Sequence, residues 1–163
     1  MSTMRIIIDD RAMIVTLDEL TFTLPVGVAS LRDDELHSDP PRPEELTNAI
    51  GLVFDHIDDV VRAAPHAIGA DVELVGAEVT SIVAVEIGGD AVLPFRLTRE
   101  AAEDVFRTLA TESAVDRRRN PGLDPAQADS VVAGCCAVVA VLRRLQATEA
   151  VVHALSLDHE GRG

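Results

Sequence analysis

Histidines, a cysteine pair, an arginine run and two serines are the side chains of this sequence whose types could carry chemistry. His37, His56, His66, His153 and His159 can each act as a base or a metal ligand near neutral pH. His56 stands among Asp55, Asp58 and Asp59, and helical spacing gathers several of these donors on one face. A solvated acidic face accounts for such a run without a ligand, and no stretch has metal-site spacing, so no metal ligands are assigned. Cys135 and Cys136 are adjacent. On a helix their side chains point about 100° apart, which does not meet disulfide geometry, so they read as small core residues. Arg117-Arg118-Arg119 is the one basic cluster and precedes Asn120-Pro121-Gly122. A phosphate chain or an acidic partner would suit it, but a solvated helix end or loop is the simpler reading. Ser38 and Ser156 have no base nearby in any nucleophile motif. No catalytic residue is assigned.

The composition narrows the setting. The 163 residues suffice for one well-packed domain, 1–163, with a core over about 4–157 and a frayed tail at 158–163. With four Phe and no Trp or Tyr, the core must be built from Val, Leu, Ile and Ala. A net charge of −14 repels polyanions, which argues against nucleic acid and anionic membrane surfaces as partners. The start of the chain lacks a secretory pattern. No apolar run reaches the roughly 18–20 residues of a membrane span. Two adjacent cysteines make no disulfide framework. The expectation is a reduced, cytoplasmic protein without a cofactor.

Elements must position whatever site exists. Arg5–Asp9, Ala12–Leu17 and Leu20–Leu24 are short β-branched runs separated by compact turns, which predicts a three-stranded antiparallel meander. Pro43-Glu44-Glu45 opens a helix that runs to about Ala64, with Leu46, Ile50, Val53, Ile57, Val60 and Val61 at helical spacing. Val72–Val75 reads as a buried strand, and Thr80–Ile87 is ambiguous by pattern. Thr98 caps a helix to about Thr111 with Val105, Phe106 and Leu109 inward. Asp124-Pro125-Ala126-Gln127 is a strong helix start, and the helix from Ala126 to Leu145 is apolar nearly all round. Glu149–Leu157 is the last strand. This order predicts an α/β fold. It is a single actin-like, ribonuclease-H-like lobe: a mixed sheet with three antiparallel strands first and helices packed against it.

Several segments resemble the Ppx/GppA exopolyphosphatase and guanosine pentaphosphate phosphohydrolase family. They are Thr23-Leu24-Pro25-Val26-Gly27 with Val28–Leu31, then Leu36-His37-Ser38-Asp39-Pro40-Pro41-Arg42-Pro43 running into Glu44-Glu45-Leu46. Arg96–Glu100, Gly122–Asp129 and Ala133-Gly134 follow in order. The resemblance covers roughly Arg5 to Gly161 and only the second of the family's two actin-like lobes. It implies that Thr80–Ile87 is a helix and that His37 is a turn residue. It also implies phosphate sites at two turns, and there this sequence departs. The family's glycine-rich hairpin, a run like Asp-x-Gly-Gly-Gly-Ser whose N–H groups cradle phosphate, corresponds to Ile8-Asp9-Asp10-Arg11-Ala12. Asp9 stands at the strand-end Asp, and the glycines and serine are gone. The family's Gly-Thr turn before a helix, an anion site by its free N–H groups, corresponds to Gly76–Ser81. Gly76 and Thr80 remain, with Glu78 and Val79 in the turn. Asp9, Gly76 and Thr80 are the degenerate ligand-binding positions.

The expectation is an exopolyphosphatase-like protein without catalysis of its own and without the first lobe, acting as a binding or regulatory module through protein contacts. The alternative is a phosphohydrolase of polyphosphate or guanosine pentaphosphate, with Mg²⁺, whose site is completed by a separate first lobe or by oligomerisation. A homodimer or another protein partner is expected, with Val131, Val132, Val138, Val139 and Leu142 as its interface, because the last helix offers no polar face.

Overall fold

The structure is a computed structural model that describes residues 2–155. The tail 158–163 lies outside the described residues, and the last strand, expected to run to Leu157, ends at Val152, with residues 153–155 outside any strand. Strands β1 (Thr3–Ile8), β2 (Met13–Leu17) and β3 (Leu20–Leu24) form the antiparallel meander. Period-two alternation does the sorting: Met4, Ile6, Ile8, Met13, Val15 and Leu17 are fully buried, while Arg5, Ile7, Ile14 and Thr16 between them are not. Helices α1 (Val28–Asp34) and α2 (Pro43–Ala63) lead to β4 (Asp71–Val75). Then come α3 (Ala77–Ile87), β5 (Phe95–Thr98), α4 (Arg99–Ala110), the single turn α5 (Ala114–Arg117), α6 (Val131–Arg144) and β6 (Glu149–Val152). The strand order is β3-β2-β1-β4-β6-β5. β4 runs parallel to both β1 and β6, and β5 is antiparallel to β6. This is the α/β mixed sheet, antiparallel in its first three strands, that the sequence implied.

Local chemistry places the helix starts. Pro43 occupies the first turn of α2, and the Glu45 carboxylate accepts hydrogen bonds from the Arg42 N–H at 3.0 Å, the Ser38 N–H at 3.2 Å and the Ser38 hydroxyl at 3.1 Å. One carboxylate thus folds the proline-rich segment back onto the helix it precedes. Thr98 caps α4 by accepting from the Ala101 N–H at 3.0 Å. Asp124 caps only a single tight turn, Pro125–Gln127. The long helix, expected from Ala126, begins at Val131, and Ser130 before it gives its hydroxyl to the Glu78 carboxylate, 2.9 Å away, rather than to the helix.

The interface expected on α6 is corrected by its burial. Val131, Val132, Val138, Val139 and Leu142 are each at most 1% exposed within the chain itself. α6 is the central helix: α2, α4, α3 and α1 all pack on it, so no face is left for a partner. Small residues at Ala133, Gly134, Cys135, Cys136, Ala137 and Ala140 let these neighbours approach. At Gly134 a Cβ would lie 2.5 Å from the Glu78 Cβ of α3. Three elements escape the sequence reading: α1, only two turns long, the single turn α5, and β5, a four-residue strand beside the Thr98 cap. Among the described residues no helix is long and apolar enough to cross a membrane.

The Gly134 contact gives a test. Gly134→Ala gains about 1 kcal/mol of helix propensity but forces α3 and α6 apart, at a cost of roughly 1–3 kcal/mol. A net loss of stability in urea unfolding is expected.

Candidate functional site

The carboxyl ends of β1 and β4 lie side by side, since Ile7 pairs with Val75 in the parallel ladder. The next residues, Ile8 and Gly76, touch so closely that a Cβ on Gly76 would sit 2.7 Å from the Ile8 carbonyl oxygen. Asp9, Gly76 and Thr80 are thereby brought to one end of the sheet, where open α/β folds bind ligands. What the residues do there is largely internal.

At the β1–β2 turn, Asp9 and Asp10 are exposed, and the Asp9 carboxylate accepts the Asp10 N–H at 2.9 Å. The backbone of the same turn caps α1. The Asp9 carbonyl accepts the Val28 N–H at 2.9 Å, and the Asp10 carbonyl accepts the N–H groups of Ala29 at 2.8 Å and Ser30 at 3.3 Å. The Gly27 N–H goes to the Ser30 hydroxyl at 3.2 Å. Gly27 is required by proximity, because a Cβ there would fall 2.4 Å from the Asp9 and Asp10 carbonyls. The donors that open a helix towards an anion are here taken up by the hairpin itself.

At the β4–α3 junction, the Thr80 hydroxyl and N–H both donate to the Gly76 carbonyl, each at 3.0 Å. Glu78, in the first turn of α3, is buried, and its carboxylate receives the Ser130 hydroxyl at the start of α6. A carboxylate is favourable beside helix N-termini, and this one lies where α3 and α6 begin. Sequence reading placed Glu78 in the turn; its partner Ser130 carried no sequence signal.

A second concavity, about 220 Å³, lies between the His37–Pro41 segment and the loop before α6. It includes Arg32, Asp39, Arg117 and Asp129, and its charges are already paired. Arg32 meets Asp33 at 3.0 Å, Arg118 meets Asp129 at 3.9 Å, and Arg117 stands 3.7 Å from Asp39. Arg117 corrects the reading of the basic run as solvated. It is 4% exposed and donates to the carbonyls of Ala128 at 2.9 Å and Leu109 at 3.1 Å, and to that of Glu112. Burial pulls its pKa down from the ordinary guanidinium value. His37 donates to or accepts nothing catalytic; its Nε2 lies 2.9 Å from the Asp34 carbonyl.

Elsewhere, Asp58 is held by Arg144 at 2.7 Å and Arg62 at 3.3 Å, and Asp59 by Arg62 at 2.5 Å, so the acidic face of α2 is an ion-paired surface. Burial pushes the Cys136 thiol up to about 12 and that of Cys135 higher still, as befits core residues. Among the described residues no group of three or more His, Cys, Asp or Glu side chains could hold a metal. For Mg²⁺, which takes one or two carboxylates together with substrate phosphates, Asp9 offers a carboxylate already engaged with its own turn.

No family model matches the chain, and no curated protein sequence matches it. Solved structures do. The chain superposes on an exopolyphosphatase-like protein with a TM-score of 0.86 at 20% identity, over 94% of this chain and 55% of that one. The type II variant of the Aquifex aeolicus Ppx/GppA phosphatase gives 0.84 at 17% identity, over 99% and 56%. An exopolyphosphatase from Cytophaga hutchinsonii gives 0.75 at 16%, over 96% and 54%. The chain therefore has the fold of one lobe of the Ppx/GppA exopolyphosphatases. It spans just over half the length of each of these proteins.

Two substitutions check the polar anchors. Arg117→Ala leaves the carbonyls of Ala128 and Glu112 without their donor, while that of Leu109 keeps the Glu112 N–H. Each unsatisfied buried acceptor costs about 1–3 kcal/mol, so a fall in unfolding free energy of at least that size is expected. At Glu45, the hydrogen bonds led by the Arg42 N–H hold the carboxyl below its usual range. The stability this provides is present above the unfolded-state value near 4.5 and is lost as pH falls through the folded value. Glu45→Gln should therefore lower Tm at neutral pH, with the difference from wild type shrinking in acid.

Proposed function

We propose that this chain is a phosphatase-like lobe that performs no phosphoryl transfer with its own residues and works instead as a binding or regulatory module through contact with protein, either a second copy or another partner. The observation that carries this reading is the closure of the β1–β2 turn, where the carbonyls of Asp9 and Asp10 cap α1. At the second turn the Glu78 carboxylate, which receives the Ser130 hydroxyl, sets an acid at the start of α3. Phosphoryl transfer depends on positioning and on electrostatic stabilisation of the phosphoryl oxygens. Donors already satisfied at the Asp9–Asp10 turn supply neither, and Asp9, Asp10 and Glu78 add negative charge where the substrate is itself negative. The reading places the protein in the cytoplasm, where the two core thiols stay reduced.

Purified protein is expected to release no phosphate from polyphosphate or guanosine pentaphosphate in the presence of Mg²⁺, and ATP with Mg²⁺ is expected to leave its melting temperature unchanged. Turnover above a buffer blank that disappears with Asp9→Asn or Thr80→Ala would overturn the reading.

A further inference from the structure

β3 ends the sheet and pairs only with β2, so one side of its backbone carries the unpaired N–H and C=O groups of an edge. The opposite edge, β5, is blunted in the usual ways: it is four residues long, Pro94 precedes it, and Arg96 lies within it. β3 has no such protection. Its five residues contain no charge and no proline, and they alternate β-branched and large apolar side chains. They also read the same in both directions: Leu20-Thr21-Phe22-Thr23-Leu24.

That palindrome is what a two-fold axis requires. In an antiparallel pairing of β3 with a second β3, centred on Phe22, Leu20 falls opposite Leu24, Thr21 opposite Thr23, and Phe22 opposite its own copy. The hydrogen-bonding parity agrees with this register. Leu17 and Leu20 flank the two-residue turn and are hydrogen-bonded to each other, so along the hairpin the pairs with Leu20, Phe22 and Leu24 bond inward to β2. The N–H and C=O groups left facing outward are those of Thr21 and Thr23, and these are the residues the register sets against each other. Among the described residues no other backbone hydrogen bond involves them. Leu20, 44% exposed in the single chain, comes to lie beside Leu24 of the second copy. Asp18 and Glu19 fall opposite Val26 and Pro25, so no acid meets an acid despite the net charge of −14.

We propose that the chain forms a homodimer by antiparallel pairing of β3 with β3 of a second copy, joining the two six-stranded sheets into one. This deepens the protein-contact reading given above. It is measured without phosphate turnover, so either can fail while the other stands.

Sedimentation or light scattering at micromolar concentration tests it. Wild-type protein should have twice the 17.4 kDa chain mass, and added salt should tighten the dimer by screening the repulsion between two acidic chains. Thr21 and Thr23 are exposed, so Thr21→Glu/Thr23→Glu and Thr21→Arg/Thr23→Arg should each fold and each be monomeric, since the register sets like charges opposite. Mixed, they should form a heterodimer. Phe22→Cys, at the axis, should cross-link to its copy on mild oxidation, the native thiols being buried. A monomeric wild type, a double-Glu variant that remains dimeric, a mixture that does not associate, or an absent cross-link would each overturn the proposal.

Discussion

A helix without a polar face must be surrounded, and the fold is organised by that requirement. Every residue from Val131 to Leu142 on α6 is buried. Leaving one of its Val or Leu side chains in water would forfeit roughly 1.5–3 kcal/mol, so α1, α2, α3, α4 and the sheet close round it. The apolar contacts carry no direction of their own. Polar contacts at the ends of α6 supply it. Arg144 reaches Asp58 on α2, Arg143 reaches Glu103 on α4, and Ser130 reaches Glu78 on α3. Both arginines also lie in the last turn, where positive charge favours the helix dipole. Each principal neighbour of the buried helix is thus fixed by one ionic or hydrogen-bonded contact.

The same packing has a consequence for chemistry. Gly134 brings the stem of Glu78 against α6, and this places the carboxylate at the junction of two helix starts. The contact thus sets an acid where the two helices begin. The first turn behaves alike: Gly27 lets the Asp9–Asp10 backbone approach closely enough to cap α1, and the cap consumes the donors. At that turn structural anchoring and the use of the helix donors are one set of interactions, so opening it would cost stability.

Much of the fold was legible because its signals are local. Alternation in β1 and β2, Pro43 with Glu45 at α2, and Thr98 at α4 each act within a few residues. The degenerate turns at Asp9 and Gly76 were legible through resemblance. What sequence could not give was the number of neighbours round a given residue. An all-apolar α6 is compatible with a partner's surface or with four helices of the same chain, and only tertiary packing chooses between them. Arg117 shows the same limit. Within a run of three arginines nothing distinguishes the one that turns inward to three carbonyls from the two that stay outside. Ser130 likewise gains its role from Glu78, 52 residues away.

The surface charge then selects what the protein can meet. Most of the arginines on the surface are paired with acids, and such exposed pairs add only about 0–1 kcal/mol each. Their more important effect is to neutralise the positive charge. The excess of acids remains, and its field opposes phosphate chains and nucleic acid at long range. It is screened within about 8–10 Å at physiological salt, so a short uncharged segment can still make contact on its own terms. The strand Leu20–Leu24 is such a segment, lying at the one sheet edge that carries neither charge nor proline. The same distribution of charge that disfavours an anionic substrate at the Asp9 turn therefore leaves the backbone of β3 free to recognise another strand.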